Sequence, residues 1–469
     1  MKVAIEGCCH GCLDHIYRAV AKKNIDLLII CGDVQTIRNK VDLQCMNVPD
    51  KYKSMGSFQD YYSGRKKAPI FTIFIGGNHE ASNYLEELKY GGFVAPNIYY
   101  MGRTSVIWYK GLRIGGISGI YYKSDFMQLA PNEYPIPFNH SNIRSIYHYR
   151  KDDYFKLKLL DTSNKMIFTS HDWPEGIYNY GSVNKLLKMK PFFTNDVKTH
   201  SLGSPFNMEL LKSIKPNYWF SAHLHVRFVA NIDWNKKRVN SVSDEKVSKK
   251  VHTENQNSAD EIVLEMDMSD EENIVEKHEN KEVCDNHDEI KLDIDDENSV
   301  SSQKSEEEKS EDAKKEDINS SMIKENLDLE TPISTKFLSL DKCLPKRNYL
   351  EYLDLELTDK NHISNKHKNS PLYYDEEYIS SLKVIEKYKL KLNDLSYKDL
   401  LEPPENLISE LKILKDYQLK EYQSLNREEY NKLFKIPLHS FVKTAPINQT
   451  EFKVYKNKQT ETFMGKFLI

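Results

Sequence analysis

Short apolar segments alternate with amphipathic ones over the first half of the chain. Runs rich in Val, Ile, Leu and aromatic residues predict strands at 2–7, 26–31, 69–75, 105–109, 112–117, 166–169 and 218–222. Helices are predicted at 13–23, where apolar residues recur every three to four positions, and at 80–89. Lys110-Gly111 joins two of the predicted strands as a hairpin. Strands that alternate with helices in this way indicate an α/β sandwich with a mostly buried central sheet.

A loop region at 123–160 interrupts this pattern. Pro131, Pro135 and Pro137 precede the aromatic and basic stretch Ile-Arg-Ser-Ile-Tyr-His-Tyr-Arg at 143–150. Long ordered loops of this kind in a compact domain are usually functional. We therefore expect a substrate-recognition loop at about 121–160.

The second half of the chain opens with a polar tract. Residues 233–332 are poor in apolar side chains and rich in Asp, Glu, Ser, Asn and Lys. They cannot bury enough surface to offset the entropy lost on ordering, so we expect a disordered acidic insertion. An apolar signal returns at 336–344, and helical patterns follow at 376–392 and 405–422. The sequence thus divides into an α/β domain at 1–232, the insertion, and a mostly helical C-terminal region at 333–469.

The charge is divided as unevenly as the apolar content. Residues 241–330 hold 30 acidic side chains, 11 Lys and no aromatic residue, a net charge of −19. The rest of the chain carries +15 and all 52 aromatic residues. A basic surface with many aromatic residues suits phosphate-rich partners, although a Lys-rich background composition explains it equally well. The acidic tract is interpreted as a solvated spacer or as a tail that binds a protein partner.

Several classes of protein are excluded. No run of about 18 apolar residues is present, so we expect no helix that spans a membrane. Residues 1–7 are too short, and too acidic at Glu6, for the apolar core of a signal peptide. Seven Cys is an odd number, and without a secretory signal we expect no disulfide framework. A reducing intracellular compartment fits, with cysteine there for metal binding or packing.

Five polar motifs directly follow predicted strands. They are Cys8-Cys9-His10, Gly32-Asp33, Gly77-Asn78-His79-Glu80, His171-Asp172 and His223-Leu224-His225. Open α/β sheets bind ligands outside the carboxyl ends of their strands, which is where all five fall. Each motif alone has a plainer explanation, because a lone His is usually structural, Gly-Asp is usually a turn, and Asn78 could cap a helix. Five such motifs at one edge are hard to explain by packing.

The ordered set resembles the calcineurin-like metallophosphoesterase superfamily, whose motifs run Asp-x-His, Gly-Asp, Gly-Asn-His-Asp/Glu, a lone His and His-x-His. Cys8 departs from that pattern, since it stands where the superfamily has Asp. With this departure the chain is similar to the family of RNA lariat debranching enzymes. The shared motifs are Glu6-Gly7-Cys8-Cys9-His10-Gly11, Gly76-Gly77-Asn78-His79-Glu80, Ser118-Gly119-Ile120, Arg144-Ser145-Ile146-Tyr147-His148, Ser170-His171-Asp172-Trp173-Pro174 and Leu340-Asp341-Lys342-Cys343-Leu344-Pro345. The likeness covers 1–230 strongly and 335–350 clearly, and it is faint beyond 351.

The resemblance implies a metallophosphoesterase β-sandwich flanked by helices, with 1–232 as its catalytic domain. It implies hydrolysis of the 2′–5′ phosphodiester at the branch point of excised intron lariat RNA, by a metal-activated hydroxide. Two divalent metals, Fe²⁺, Zn²⁺ or Mn²⁺, would share the carboxylate of Asp33. By the same resemblance one metal is held by Cys8, His10, Asp33 and His225, and the other by Asp33, Asn78, His171 and His223. His79 is assigned to protonate the leaving oxygen or to stabilise the transition state.

The alternation of side chains along a strand agrees with these assignments. Cys8 and His10 should point to one side and Cys9 to the other, and His223 and His225 should share a side. The two oxygens of a bridging carboxylate can contact two metals about 4 Å apart. Thiolate is a softer ligand than carboxylate, which favours Zn²⁺ or Fe²⁺ over Mg²⁺ at the first site.

Two features near these motifs leave alternatives open. Cys9-x-x-Cys12 could form a redox site or half of a zinc knuckle, but the chain has no second Cys-x-x-Cys, and Cys9 is better explained as a core residue. Glu80 is expected to orient a histidine from behind the ligands, or else to be a carboxylate in the first turn of a helix.

The 121–150 segment supplies candidate contacts to RNA. RNA with exposed bases is bound by aromatic stacking and by cationic contacts to phosphate. The candidates are Tyr121, Tyr122, Arg144, Tyr147, His148 and Arg150. Tyr121 and Tyr147 could instead only pack the loop onto the sheet.

Two other functions compete with debranching of intron RNA. One is a nuclease or phosphatase acting on another phosphoester, and the other is a metal-bound scaffold without catalysis. Cys8 and the 121–150 loop disfavour the first, and the complete ligand set with His79 disfavours the second. A branched intron substrate places the enzyme in the nucleus, and we expect a monomer.

Overall fold

The computed structural model of the protein describes residues 1–162, 165–235, 334–366 and 371–468. The predicted acidic insertion lies outside the described residues, except for 233–235, which end a strand and begin a turn. Within the described parts of the chain, no helix combines the length and the apolar character needed to cross a membrane.

Two mixed sheets form the centre of the described structure. The first sheet has the order β12 (Leu350–Asp354), β1 (Lys2–Glu6), β2 (Leu27–Ile30), β3 (Thr72–Phe74), β5 (Ile98–Tyr100) and β4 (Gly92–Ala95). The second sheet has the order β10 (Phe228–Asp233), β11 (Ser334–Ser339), β9 (Tyr218–Ser221), β8 (Ile167–Ser170), β7 (Leu112–Ile117), β6 (Thr104–Tyr109) and β13 (Leu372–Tyr374).

Each sheet has four parallel strands at its centre. Strands β1, β2, β3 and β5 are parallel in the first sheet, and β7, β8, β9 and β11 are parallel in the second. The predicted hairpin is confirmed, because β6 and β7 pair antiparallel with Tyr109 opposite Leu112. The carboxyl ends of the parallel strands therefore collect at one edge of each sheet.

The two sheets pack face to face. Val3 and Ile29 of the first sheet share one fully buried core with Ile114 and Phe220 of the second. The other face of the first sheet packs against helix α1 (Leu13–Ala21). Burial on both faces accounts for the nearly continuous apolar character of these strands. The predicted β-sandwich flanked by helices is confirmed.

The remaining helices lie between and beyond the strands. They are α2 (Lys40–Gln44), α3 (Phe58–Ser63), α4 (Ser82–Glu87), α5 (Lys123–Phe126), α6 (Asn142–Ser145), α7 (Lys151–Lys158), α8 (Val183–Met189), α9 (Thr194–Thr199), α10 (Pro205–Ile214), α11 (Ile363–Lys366), α12 (Glu376–Tyr388), α13 (Tyr397–Leu401), α14 (Glu405–Gln423), α15 (Arg427–Phe434) and α16 (Lys458–Phe467). Short 3₁₀ helices occur at Asp50–Tyr52, Ile177–Tyr180, Pro191–Phe193 and Lys389–Leu392.

The C-terminal region contains the expected helices and also completes both sheets. Strand β12 pairs antiparallel with β1, β13 pairs antiparallel with β6, and β11 lies between β9 and β10. The sequence pattern gave no sign of β12 or β13, which lie at the edges of the two sheets. As a result, residues on either side of the insertion build one sandwich.

A buried ion network fastens α12 and α14 to the second sheet. The Arg113 guanidinium contacts Asp375 at 2.7 Å and Glu377 at 2.8 Å, and Lys415 contacts Glu377 at 3.0 Å. Trp108 Nε1 also donates to Asp375 Oδ2 at 2.8 Å. All four charged residues are nearly inaccessible to solvent, so each charge depends on its partner.

Replacing Asp375 by Ala should therefore destabilise the fold by about 3–5 kcal/mol, because Arg113 would keep a buried charge with part of its partner removed. Denaturant unfolding followed by circular dichroism measures this. Asp354→Ala is the matched control: its carboxylate is 77% exposed in a pair with the N-terminus, and its loss should cost less than about 1 kcal/mol. Equal effects for the two variants would contradict the argument.

Candidate metal centre

The five polar motifs lie where the sequence places them, at the carboxyl ends of β1, β2, β3, β8 and β9. The first three of these strands belong to one sheet and the last two to the other. The candidate ligands thus approach each other from both halves of the sandwich. They are Cys8 and His10 after β1, Asp33 after β2, Asn78 after β3, His171 after β8, and His223 and His225 after β9.

Four of these residues have a left-handed backbone. The φ angles are 44° at His10, 53° at Asp33, 61° at His223 and 47° at His225. Positive φ is uncommon for residues other than glycine, and it concentrates at functional sites where the surrounding structure holds it in place. Here the positive φ angles occur where the backbone leaves a strand and turns.

One group of four ligand atoms is compact. The Cys8 thiol, a ring nitrogen of His10 and of His225, and a carboxylate oxygen of Asp33 all lie within 4.8 Å of one another. His10 Nε2 is 3.2 Å from His225 Nε2 and 3.6 Å from Asp33 Oδ2. One sulfur, two nitrogens and one oxygen at such spacing fit the coordination shell of a divalent transition metal.

A second group of candidate metal-ligand atoms surrounds His171. Its Nδ1 must carry the proton, because it donates to the Cys31 carbonyl at 2.7 Å. Nε2 therefore presents a lone pair, 3.1 Å from Asn78 Oδ1 and 3.5 Å from Asp33 Oδ2. The His223 ring lies beside it, with 5.1 Å between ring centroids. One ring nitrogen and two oxygens at this spacing offer ligand atoms to a second metal.

Two glycines allow the loops to approach so closely. A Cβ atom on Gly77 would lie 2.2 Å from Asp33 Oδ1, and one on Gly32 would lie 2.2 Å from His171 Nδ1. Any side chain at either position would displace a candidate ligand. The Gly-Asp and Gly-Gly-Asn steps of the motifs thus have a steric reason.

The electrostatics of the cluster prepare its side chains to bind a metal. Burial lowers the pKa of His10 to about 4 and also lowers the pKa of His171 and His225, so these imidazoles stay neutral. Burial opposes the charge of Asp33, but His171, His79 and His10 nevertheless hold its pKa well below the usual value.

The pKa of the Cys8 thiol shifts upward, in contrast to the lowered pKa values of the histidines and Asp33. Burial, together with the charge of Asp33, raises the pKa of Cys8 well above its usual value, although its sulfur accepts a hydrogen bond from the His223 backbone at 3.2 Å. A thiol in such a place is deprotonated when it coordinates a cation. Metal binding at this position should therefore release a proton.

His79 stands next to the cluster without belonging to its compact group. Its backbone N–H donates to Asp33 Oδ1 at 2.9 Å, and its ring centroid is 5.5 Å from that of His10. The ring nitrogen Nδ1 is buried and has no hydrogen-bond partner among the described residues. This position agrees with a residue that faces the substrate, and its catalytic role stays a prediction.

Glu80 does not orient a histidine, and that prediction is wrong. Its carboxylate accepts backbone hydrogen bonds from Val34 at 2.9 Å, Gln35 at 2.8 Å and Gly77 at 3.2 Å. It also precedes the first turn of α4, so the alternative explanation fails too. Glu80 instead ties the loop after β2 to the loop after β3. Burial raises its pKa to about 8, assisted by Asp33.

The neighbouring cysteines form neither of the arrangements suggested by Cys9-x-x-Cys12. Cys9 is buried against α1, and both Cys9 and Cys12 are free thiols. The Cys12 thiol donates to the His10 carbonyl at 3.6 Å, and its interaction with Cys343 lowers the pKa of Cys12 to about 7. In the part of the chain that the structure describes, the compact metal-binding group includes Cys8 and neither of these residues.

The six candidate RNA contacts separate into two sets. Tyr147, His148 and Arg150 are buried, with 6%, 5% and 3% of their surfaces exposed. The Arg150 guanidinium contacts Asp125 at 3.0 Å, and His148 Nδ1 contacts the same carboxylate at 2.6 Å. Burial and these contacts assign the three residues to the interior of the loop rather than to its surface.

The other three candidates remain half-buried: Tyr121, Tyr122 and Arg144. The Tyr121 hydroxyl donates to Tyr397 at 3.2 Å, and the Tyr122 ring stacks on His148 with 4.9 Å between centroids. The buried Nε of Arg144 has no partner among the described residues. These three side chains are the ones that can reach a bound molecule.

The sequence motifs gave no role to Lys342, which lies beside Cys8 in an isolated parallel bridge. It is the basic residue of the motif Leu340-Asp341-Lys342-Cys343-Leu344-Pro345. The only sequence signal was its position directly after an apolar segment, the same signal that marks the five metal motifs. Its placement requires β11, more than 300 residues after β1, to enter the second sheet.

Comparison with known proteins agrees with this geometry. A family model described as "Calcineurin-like phosphoesterase" matches residues 1–227, and one described as "Lariat debranching enzyme, C-terminal domain" matches 332–469. The Schizosaccharomyces pombe lariat debranching enzyme is 39% identical over 99% of this chain and 93% of its own. The Saccharomyces cerevisiae enzyme of that name is 36% identical over 100% and 99%. The Homo sapiens one is 56% identical over 49% of this chain and 43% of its own.

Proposed function

The chain belongs to the family of lariat debranching enzymes, and from this premise we propose that it hydrolyses the 2′–5′ phosphodiester at the branch point of excised intron lariat RNA, using two divalent metals. Family membership makes it a phosphodiesterase that debranches RNA and depends on divalent metal. The observation that carries the finer proposal is the position of Asp33, which belongs to the compact group of four ligand atoms and also lies 3.5 Å from His171.

The seven ligands divide between two metal positions in this proposal. Each position takes Asp33 and three further residues: Cys8, His10 and His225 for one, and Asn78, His171 and His223 for the other. When bound, two divalent ions would lower the pKa of a water molecule and neutralise charge on the phosphate. Asp33 would be the ligand common to both ions, and the Cys31 carbonyl fixes the orientation of His171.

The protein's own groups then complete the reaction. Water supplies the oxygen that forms a new bond to phosphorus, and the bond from phosphorus to the 2′-oxygen breaks. His79 donates a proton to that 2′-oxygen as it leaves. The products are linear RNA with a free 2′-hydroxyl group and a 5′-phosphate.

The half-buried residues of the 121–150 segment hold the RNA next to this centre. Tyr121 and Tyr122 offer aromatic faces for bases, and Arg144 offers a cation for phosphate. The buried contacts of His148 and Arg150 to Asp125 keep the loop in shape. Because excised introns arise in the nucleus, we place the enzyme there.

Incubation of the purified protein with a synthetic 2′–5′ branched RNA tests the proposal. We expect cleavage at the branch only, with a linear 3′–5′ RNA of the same sequence left intact. A simple aryl phosphate diester is the companion substrate. Cleavage of the aryl diester without debranching would indicate a broader phosphoesterase, and cleavage of neither would indicate a scaffold.

Cys8→Ser should change which metal the protein binds. Replacing a soft thiolate by a hard hydroxyl weakens affinity for Zn²⁺ and Fe²⁺ and shifts the preference toward Mn²⁺ or Mg²⁺. Metal analysis of the purified protein, and turnover with each metal added separately, measure the shift. Cys9→Ser is the matched control, because Cys9 is also buried but packs against α1. An unchanged metal profile in Cys8→Ser would contradict Cys8 as a ligand.

A further inference from the structure

Lys342 is held beside Cys8 by backbone pairing. The Cys8 N–H donates to the Asp341 carbonyl at 3.3 Å, and the Cys343 N–H donates to the Cys8 carbonyl at 3.0 Å. These bonds make the bridge in which Cys8 and Lys342 lie opposite each other. Residues paired in this way point to the same face of a sheet. Since Cys8 faces the metal cluster, the Lys342 side chain faces it as well.

The burial of the neighbouring residues supports that direction. Leu340, two positions before Lys342, lies in the same core between the sheets as Cys8, whereas Cys343 lies in the core on the α1 side. Alternation along an extended segment therefore places Leu340 and Lys342 on one side and Cys343 on the other. Lys342 lies two positions beyond Leu340 on that side, opposite Cys8.

Lys342 is almost buried, its ammonium nitrogen keeps some contact with solvent, and that group has no partner among the described residues. Only 6% of the residue is exposed, and no described residue accepts a hydrogen bond from its side chain or forms an ion pair with it. The nearby carboxylate of Asp341 instead contacts Arg347 at 3.6 Å. A lysine this little exposed with no anion beside it is uncommon, because its charge loses much of its hydration without a compensating contact.

The charges of the two metals and their ligands give no electrostatic reason for a lysine at this position. Two divalent cations would bring four positive charges, and the Cys8 thiolate and the Asp33 carboxylate would supply two negative ones. A further cation beside this excess of positive charge is unfavourable until an anion enters the site. The substrate is such an anion, and its phosphate gains negative charge on the way to the transition state.

We propose that Lys342 is a catalytic residue that contacts a non-bridging oxygen of the scissile phosphate and stabilises the charge that develops there. This inference rests on the proposed function. It also gives the C-terminal region a chemical role, because residues 1–227 alone would lack this cation. The active site then consists of ligands from the first half of the chain and one substrate contact from the second.

Kinetics of Lys342→Met on branched RNA test the proposal. We expect kcat and kcat/KM to fall together by about 10²-fold, as when one preorganised donor to the transition state is lost. Metal content and thermal stability should stay close to those of the unaltered protein, and Lys342→Arg should recover part of the rate. Lys346→Met is the matched control, since Lys346 is exposed in the same segment. It should keep full activity.

Inhibition by orthovanadate gives a readout that a structural role would not change. The metal-loaded Lys342→Met protein should bind vanadate at least about tenfold more weakly than the unaltered protein, measured by calorimetry, and Lys342→Gln repeats the comparison if the Met variant does not fold. Unchanged vanadate affinity, an unchanged kcat or a loss of metal would overturn the proposal. Failure of the unaltered protein to cleave branched RNA would instead refute the proposed function, and the vanadate measurement would still test the phosphate contact.

Discussion

Asp33→Ala is expected to reduce debranching by at least about 10³-fold, the upper end of what the loss of one preorganised charged group costs. The Asp33 carboxylate lies 3.6 Å from His10 on one side and 3.5 Å from His171 on the other. Its other oxygen accepts the backbone N–H of His79. Its removal would weaken both proposed metal positions and release the loop that carries His79.

Metal analysis distinguishes this explanation from a general loss of structure. The unaltered protein should contain two metals per chain at saturation, and the Asp33→Ala protein should contain fewer than one, while both unfold cooperatively. Asp14→Ala serves as the control, because Asp14 is a half-exposed carboxylate of α1 that contacts Lys66 at the surface. An Asp33→Ala protein that still holds two metals would refute a shared ligand.

The positions of the candidate ligands could be predicted because each depends on local sequence only. A polar residue directly after a buried parallel strand must lie at the carboxyl edge of the sheet, whatever the order of the strands. The alternation of Cys8, Cys9 and His10 also follows from a single strand, and the structure places Cys8 and His10 in the compact group and Cys9 against α1. Family resemblance then divided the ligands between two metals.

The contacts that the sequence did not predict depend on pairings across long distances in the chain. Glu80 accepts hydrogen bonds from Val34 and Gln35, 46 and 45 residues earlier, and the Arg150 guanidinium pairs with Asp125 within the 121–150 segment. Neither partner is apparent from spacing or hydropathy. Lys342 enters the site only because β11 is inserted between two strands of the second sheet. Sequence patterns locate strand ends, whereas the order of strands decides which ends meet.

His79→Ala is expected to lower turnover by about 10²–10⁴-fold, the contribution typical of a positioned general acid. The His79 ring lies beside His10 and outside the compact ligand group, so the variant should keep both metals and bind branched RNA as tightly as before. His15→Ala is the control, because His15 is exposed on α1. This substitution should leave turnover unchanged. Single-turnover kinetics on branched RNA, together with metal analysis, measure these effects.

A substrate with a sulfur atom in place of the bridging 2′-oxygen separates proton donation from the alternative role of stabilising the transition state. A thiolate leaves readily without a proton, whereas an alkoxide needs one. If His79 protonates the leaving group, His79→Ala should cleave the sulfur-bridged RNA nearly as fast as the unaltered protein does, and the deficit should appear only with the oxygen-bridged RNA. An equal deficit on both substrates would mean that His79 acts on the phosphate itself. A loss of metal would instead make His79 a ligand, against its position outside the compact group in the described structure.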